Sequence, residues 1–146
     1  MATRTATPRE AKDLLDGGGY VYMDVRSIGE FERGHVPGAY NVPLLLFAPA
    51  FGGMTPNSRF LAAVVAIFEK DAKIVVGCAT GRRSAIAAAQ LAAVGYTDLV
   101  DCCAGFDGTK DGIGRTVEPG WAAAGLPVAT RPDPERTWEA LAAELK

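Results

Sequence analysis

One stretch constrains this chain more than any other: an apolar run that ends at a cysteine. Residues 75–90 read VVGCATGRRSAIAAAQ. Five small or polar residues follow Cys78, two of them arginines, and an alanine-rich segment then begins. The run before the cysteine has the character of a buried strand, and Arg82 to Val94 that of a helix stopped by Gly95. A loop between a strand and a helix start carries backbone N–H groups with no intrahelical partner. Such groups converge on one point and hold an anion there. If Cys78 occupies that point, the cradle favours its thiolate, and Arg82 and Arg83 add positive potential. The alternative is an inert core cysteine. The polar run Thr80-Gly81-Arg82-Arg83-Ser84 argues against a buried, inactive site.

The rest of the chain supplies a frame for such a loop. Thr7-Pro8-Arg9-Glu10 is a capping box with proline at the first helical position, so a helix is expected from Pro8 to about Leu15, ended by Gly17-Gly18-Gly19. YVYMDV (20–25) reads as a buried strand and AYNV (39–42) as a brief one, with one helical turn near Glu30 between them. LLLFAPAFGGMTP (44–56) is an apolar loop, read as packed inside rather than as a lid or exposed patch. Asn57 or Ser58 caps a helix through RFLAAVVAIFEK (59–70). Strands follow at 73–77 and in TDLVDC (97–102). DGTKDGIGRTVEPG (107–120) is a Gly-rich surface loop, residues 118–124 hold one helical turn, and DPERTWEALAAELK (133–146) is a closing helix. Strands alternating with helices imply a mostly parallel sheet with helices on both faces. In such sheets ligands sit beyond the carboxyl ends of the strands, where Cys78 falls.

Composition narrows the function classes. The 146 residues are 49% hydrophobic and 22% charged, which suits one domain with a core at about 7–130 and a C-terminal helix at 133–146. A net charge of −2 argues against a nucleic-acid surface, and no apolar run is long enough to span a bilayer. The N-terminus lacks the apolar segment of a secretory signal. Three cysteines do not make a disulfide framework and fit a reducing compartment: the cytoplasm, or the soluble interior of a plastid or mitochondrion. No Cys/His spacing suggests a metal site, and no cofactor is expected.

Two motifs together, MDVRSIGEFERGHVPGAYNVP (23–43) and VVGCATGRRSAIAA (75–88), resemble those of single-domain rhodaneses, a sulfurtransferase family. DLVDCCAGFDG and GWAAAGLPV match more loosely. The resemblance implies a rhodanese-like α/β fold with a central five-stranded, mostly parallel sheet. It also implies Cys78 as nucleophile, with Ala79, Thr80, Gly81, Arg82 and Arg83 as the active-site loop. The implied reaction moves a sulfane sulfur from thiosulfate or a similar small anionic donor, through a Cys78 persulfide, to cyanide or a thiol, including a protein thiol. The amides of residues 79–83 would hold the anionic sulfur. Arg82 and Arg83 would hold the donor, unless one of them is paired with a carboxylate. Thr80 either donates to the sulfur or faces solvent.

Asp24, Arg26 and Glu30 fall in the first motif and are expected to support the loop. Asp24 would bind loop amides or a guanidinium, and Arg26 would pair with Glu30 four residues on. His35 is expected to be a hydrogen-bonded turn residue, and Cys102 and Cys103 small strand residues. Related phosphatases place an arginine six residues after their cysteine. Here that position is Ser84, and the shorter ring suits sulfur better than phosphate. Gly105 is followed by Phe106 where a second glycine is usual, and the loop from Asp107 to Pro119 is long; both reshape the pocket mouth. The other readings are a non-enzymatic partner-binding or sulfur-carrying module, a cysteine phosphatase, and a thiol redox sensor.

Overall fold

A computed structural model of the protein describes residues 3–145. Its centre is a five-stranded parallel sheet of β1 (Thr3–Ala6), β2 (Val21–Asp24), β3 (Tyr40–Asn41), β6 (Ile74–Gly77) and β7 (Leu99–Cys102), in the spatial order β1-β7-β6-β2-β3. Between them run α1 (Pro8–Gly17), α2 (Ile28–Arg33), α3 (Phe60–Ile67) and α4 (Arg82–Ala93), and α5 (Trp138–Ala143) follows the last strand. Two small antiparallel hairpins complete the fold: β4 (Leu45–Ala48) with β5 (Gly53–Pro56), and β8 (Thr109–Lys110) with β9 (Thr116–Glu118).

The sheet is covered on both faces, which is why β2, β6 and β7 are almost uninterrupted apolar runs. Met23, Ile74, Val76 and Leu99 pack with Val64, Ala87, Leu91 and Trp138 on one side. Tyr22, Val75, Val100 and Cys102 pack with Ala11, Phe31, Val36 and Trp121 on the other. Burying each large apolar side chain contributes about 1.5–3 kcal/mol. Those gains fix the central strands, and with them the line along which their carboxyl ends fall.

Local signals set most boundaries. Thr7 caps α1 and Ser27 caps α2, each in a reciprocal capping box with the glutamate three residues on, Glu10 and Glu30. β1 is a strand that sequence pattern did not reveal. It is short, mostly exposed and polar, and it exists because β7 offers it a parallel edge.

Several expectations are corrected. Residues 44–56 do not form a buried loop. Leu44 is buried in the core and Leu46 packs against it, while the segment folds back as the β4–β5 hairpin through Gly52 and Gly53, both at positive φ. Pairing β4 with β5 satisfies the backbone locally, so Phe47 (73% exposed) and Met54 (43% exposed) need no place in the core. The Gly-rich segment at 107–120 contains the β8–β9 hairpin. The single helical turn expected at 118–124 is present, closed by Ala124 N–H donating to Gly120 O at 3.0 Å.

Two helices are also shorter than expected. α5 starts at Trp138 rather than near residue 133, because the Thr137 hydroxyl accepts from Ala140 N–H, while Asp133 and Arg136 close a separate turn. In α3 no side chain caps the helix at Arg59; Asn57 Oδ1 accepts from Arg59 N–H one step earlier. That helix ends at Ile67, where Phe68 turns extended.

Since Phe47 faces solvent, Phe47→Ser is expected to change stability by no more than about 0.5 kcal/mol. Thermal unfolding checks this; a drop of many degrees would mean that the hairpin packs.

Candidate active site

Cys78 follows β6 directly and, contrary to the expectation from the polar run after it, is buried at the edge of the core, 1% exposed, but its sulfur is not surrounded by hydrocarbon alone. Gly81 N–H donates to Sγ at 3.1 Å and Ser84 N–H donates at 3.3 Å. Ser84 is the third residue of α4, a twelve-residue helix without a side-chain oxygen cap. The sulfur therefore takes the part that a serine or aspartate oxygen plays at other helix starts. Two orphan donors and the positive end of the helix converge on one atom, an arrangement that stabilises negative charge there.

Three glycines make the arrangement possible. A Cβ on Gly77 would overlap the Tyr22 hydroxyl. Gly81 has φ +101° and lies against the Cys103 carbonyl, so any side chain would strain the backbone and strike another peptide. Gly105 has φ +64° and sits against the Cys78 and Ala79 carbonyls. The turn it allows lets Phe106 N–H donate to Cys78 O at 2.8 Å and Asp107 N–H donate to Ala79 O at 2.7 Å. The chain after β7 thus clamps the first half of the cysteine loop.

The arginines divide their duties. Arg83 makes a two-pronged contact with Glu30, Nη1 to Oε1 at 2.7 Å and Nη2 to Oε2 at 3.0 Å, tying α4 to α2. Arg82 is exposed and forms no salt bridge among the described residues. Thr80 is exposed and makes no bond to the sulfur among the described residues.

Arg26 does not pair with Glu30. It precedes the cap residue of α2, so the helical four-residue spacing does not apply to it. It grips Asp24 instead, with Nε at 3.0 Å and Nη2 at 2.8 Å from the carboxylate oxygens. Asp24 also accepts from the Arg26 amide, and Arg26 Nη2 donates to Gly34 O. Asp24 therefore holds a guanidinium and not the loop amides. The Arg26 guanidinium lies 4.3 Å from the centre of the Phe106 ring, so the aromatic after Gly105 closes over this pair. A cleft of about 190 Å³ opens beside it, lined by Arg26, Glu30, Arg33, Gly34, Phe106 and Asp107.

The other candidates play structural parts. His35 is buried, stacks on Phe31, and donates its Nδ1–H to Phe31 O at 2.9 Å, the hydrogen-bonded turn histidine expected. Cys102 closes β7 inside the core, where burial pushes its thiol up to about 12. Cys103 is not a strand residue as expected but lies in the turn after β7; burial also raises its partly exposed thiol, whose Sγ donates weakly to Ala6 O. All three cysteines are free. Among the described residues, no group of three or more His, Cys, Asp or Glu side chains is arranged to hold a metal.

Sequence reasoning passed over Ser84 and Asp101. The ring that meets the sulfur reaches one residue further than residues 79–83, to the Ser84 amide. The signal for Asp101 was a carboxylate inside the apolar strand LVDC.

The match to known families comes from this same frame. The rhodanese-like domain family matches residues 7–110, and the chain belongs to that family. Thiosulfate sulfurtransferase 16, chloroplastic, of Arabidopsis thaliana is 41% identical over 117 residues, covering 80% of this chain and 85% of the relative. Senescence-associated protein DIN1 of Raphanus sativus is 37% identical over 103 residues, or 70% of this chain; the match spans only 55% of that relative, a little over half its length. The crystal structure of Rv0390 from M. tuberculosis superposes with a TM-score of 0.71 at 27% identity, covering 90% of this chain and all of that one.

Burial alone would raise the Glu30 carboxyl, but the bonds from Arg83 and Ser27 outweigh it and hold it at about 2, below its ordinary 4.5. Glu30 thus stabilises the fold fully above about pH 4.5, and that contribution is lost as pH falls toward about 2. The difference in melting temperature between wild type and Glu30→Gln is expected to close over this interval. A difference that stays constant with pH would contradict the pairing.

Proposed function

We propose that this protein is a sulfurtransferase that carries sulfur as a Cys78 persulfide. The observation that supports this most is the pair of N–H bonds from Gly81 and Ser84 to Sγ at the start of α4. In the first step the Cys78 thiolate attacks the outer sulfur of a small anionic donor such as thiosulfate. An S–S bond forms, the S–SO₃ bond breaks, and sulfite leaves with the electron pair. The terminal persulfide sulfur is anionic, and the loop amides hold it as they hold the thiolate. In the second step cyanide or a thiolate, free or on a protein, attacks that sulfur and takes it, returning Cys78 to its starting form. No base is required, because the nucleophile enters as an anion and leaves as one.

Arg82, exposed and without a salt bridge among the described residues, is assigned to the donor anion. Arg83 keeps the loop in place through Glu30, and the Asp24–Arg26 pair supports it from the neighbouring strand end. Names among the relatives agree with this reading, including Thiosulfate sulfurtransferase 16 and Thiosulfate sulfurtransferase 18 of Arabidopsis thaliana.

The phosphatase reading is weaker. Position 84 is a serine whose hydroxyl is tied to Asp101, and Arg83 is held by Glu30, so neither offers the sulfur's surroundings a guanidinium for phosphate. A redox sensor is weaker still, because burial suppresses the thiolates of Cys102 and Cys103. We place the protein in the cytoplasm or the soluble interior of a plastid or mitochondrion. Three free cysteines fit a reducing compartment, some relatives bear chloroplastic names, and no helix among the described residues is long and apolar enough to cross a membrane.

Wild-type protein is expected to form thiocyanate from thiosulfate and cyanide, and Cys78→Ser to form none. Full activity in Cys78→Ser would refute the assignment. Arg82→Ala is expected to raise KM for thiosulfate several-fold with little change in melting temperature, since the side chain is exposed and unpaired.

A further inference from the structure

Ser84 joins three parts of the molecule. Its N–H donates to Cys78 Sγ, and its hydroxyl lies 2.7 Å from Asp101 Oδ1 and 3.2 Å from Gly81 O. Asp101 is the third residue of β7, on the face that Val76 and Leu99 share, and is 6% exposed. The Ser84 hydroxyl is its only hydrogen-bonding partner, and no cation forms a salt bridge with it, among the described residues. A buried carboxyl with a single neutral partner costs stability that an apolar residue would not. β7 nevertheless carries it between Val100 and Cys102, directly below the first turn of α4.

We propose that Asp101 and Ser84 are positioning residues for sulfur transfer: Asp101 pins the Ser84 hydroxyl to the sheet, and this aims the Ser84 N–H at the Cys78 sulfur. The proposal rests on the sulfurtransferase reading and extends it to residues that never touch the donor. The Gly81 amide is carried by a loop, which backbone bonds from Phe106 and Asp107 hold only at Cys78 and Ala79. The Ser84 amide, by contrast, is referenced through a side chain to the most buried layer of the fold. Its bond to the sulfur is the longer of the two, 3.3 Å against 3.1 Å, and its direction depends on how the first turn of α4 is seated. Burial raises the Asp101 carboxyl above its ordinary value, and the bond from the Ser84 hydroxyl works in the opposite direction.

The test compares Ser84→Ala, Ser84→Thr, Asp101→Leu and Asp101→Asn with wild type, in thiocyanate formation and in the pH profile of Cys78 alkylation by iodoacetamide. Ser84→Ala and Asp101→Leu are expected to lower kcat/KM about ten-fold, the effect of one misplaced hydrogen bond. Their alkylation profiles are expected to move to higher pH. Ser84→Thr keeps the hydroxyl, Asp101→Asn keeps an accepting oxygen, and both are expected to stay within about two-fold of wild type. A Ser84→Ala or Asp101→Leu protein that melts lower but keeps the wild-type profile and turnover would overturn the proposal, leaving these residues a packing role. If Asp101→Leu does not fold, the Ser84→Ala and Ser84→Thr pair decides alone. Failure of the sulfurtransferase reading shows separately, as absence of thiocyanate with the wild-type protein, and the alkylation profiles still test the tether.

Discussion

The beginning of α4 has no cap except the sulfur of Cys78. That substitution organises the rest of the site. Helix starts leave N–H groups that must find acceptors, and here two of them find a cysteine sulfur. A serine or aspartate there would satisfy the helix equally well and carry no sulfur. The glycines follow from the same demand. Gly81 turns the backbone so that its amide faces inward, and Gly105 lets the chain after β7 pass close enough to bind the loop carbonyls. The sheet contributes the origin of the loop: β6 is central and fully buried, so Cys78 leaves it from a fixed point.

Charge placement divides into two tiers. Asp24 with Arg26 is buried and multiply bonded, and removing one partner of such a pair costs about 3–5 kcal/mol because the other is left uncompensated. Glu30 with Arg83 is less buried but two-pronged, and it joins the two helices that flank the loop. Surface pairs such as Lys12 with Asp16 contribute about 0.3–0.5 kcal/mol and set nothing at the site. Of the charged residues at 24–30, Glu30 reaches the start of α4 through Arg83, and Arg26 reaches the chain after β7 through the Phe106 ring.

Much of this was legible in the sequence. The capping box at Thr7 is local chemistry, and α1 starts where it places it; near Glu30 only a helical turn was expected, and the Ser27 box that starts α2 was missed. β2, β6 and β7 announce themselves as apolar runs, and the cysteine after β6 stands out by its place at a strand end. What was not legible depends on distant parts of the chain. β1 is a polar edge strand that exists through β7. The choice of Arg26 between Asp24 and Glu30 turns on where α2 begins, a matter of one residue. The β4–β5 hairpin looked like core because its composition is apolar, but a hairpin that satisfies its own backbone does not need to be buried. Ser84 and Asp101 meet only once α4 is laid on the sheet, although an aspartate inside an apolar strand was a visible anomaly.

The central claim is that one particular sulfur, held by main-chain N–H groups, receives and releases the transferred atom. Mass mapping of the protein after brief exposure to thiosulfate tests it most directly. The account predicts one added sulfur atom, located on the peptide containing Cys78 and removed by cyanide. Added sulfur on Cys102 or Cys103 with Cys78 unmodified, or none on any of the three, would contradict it.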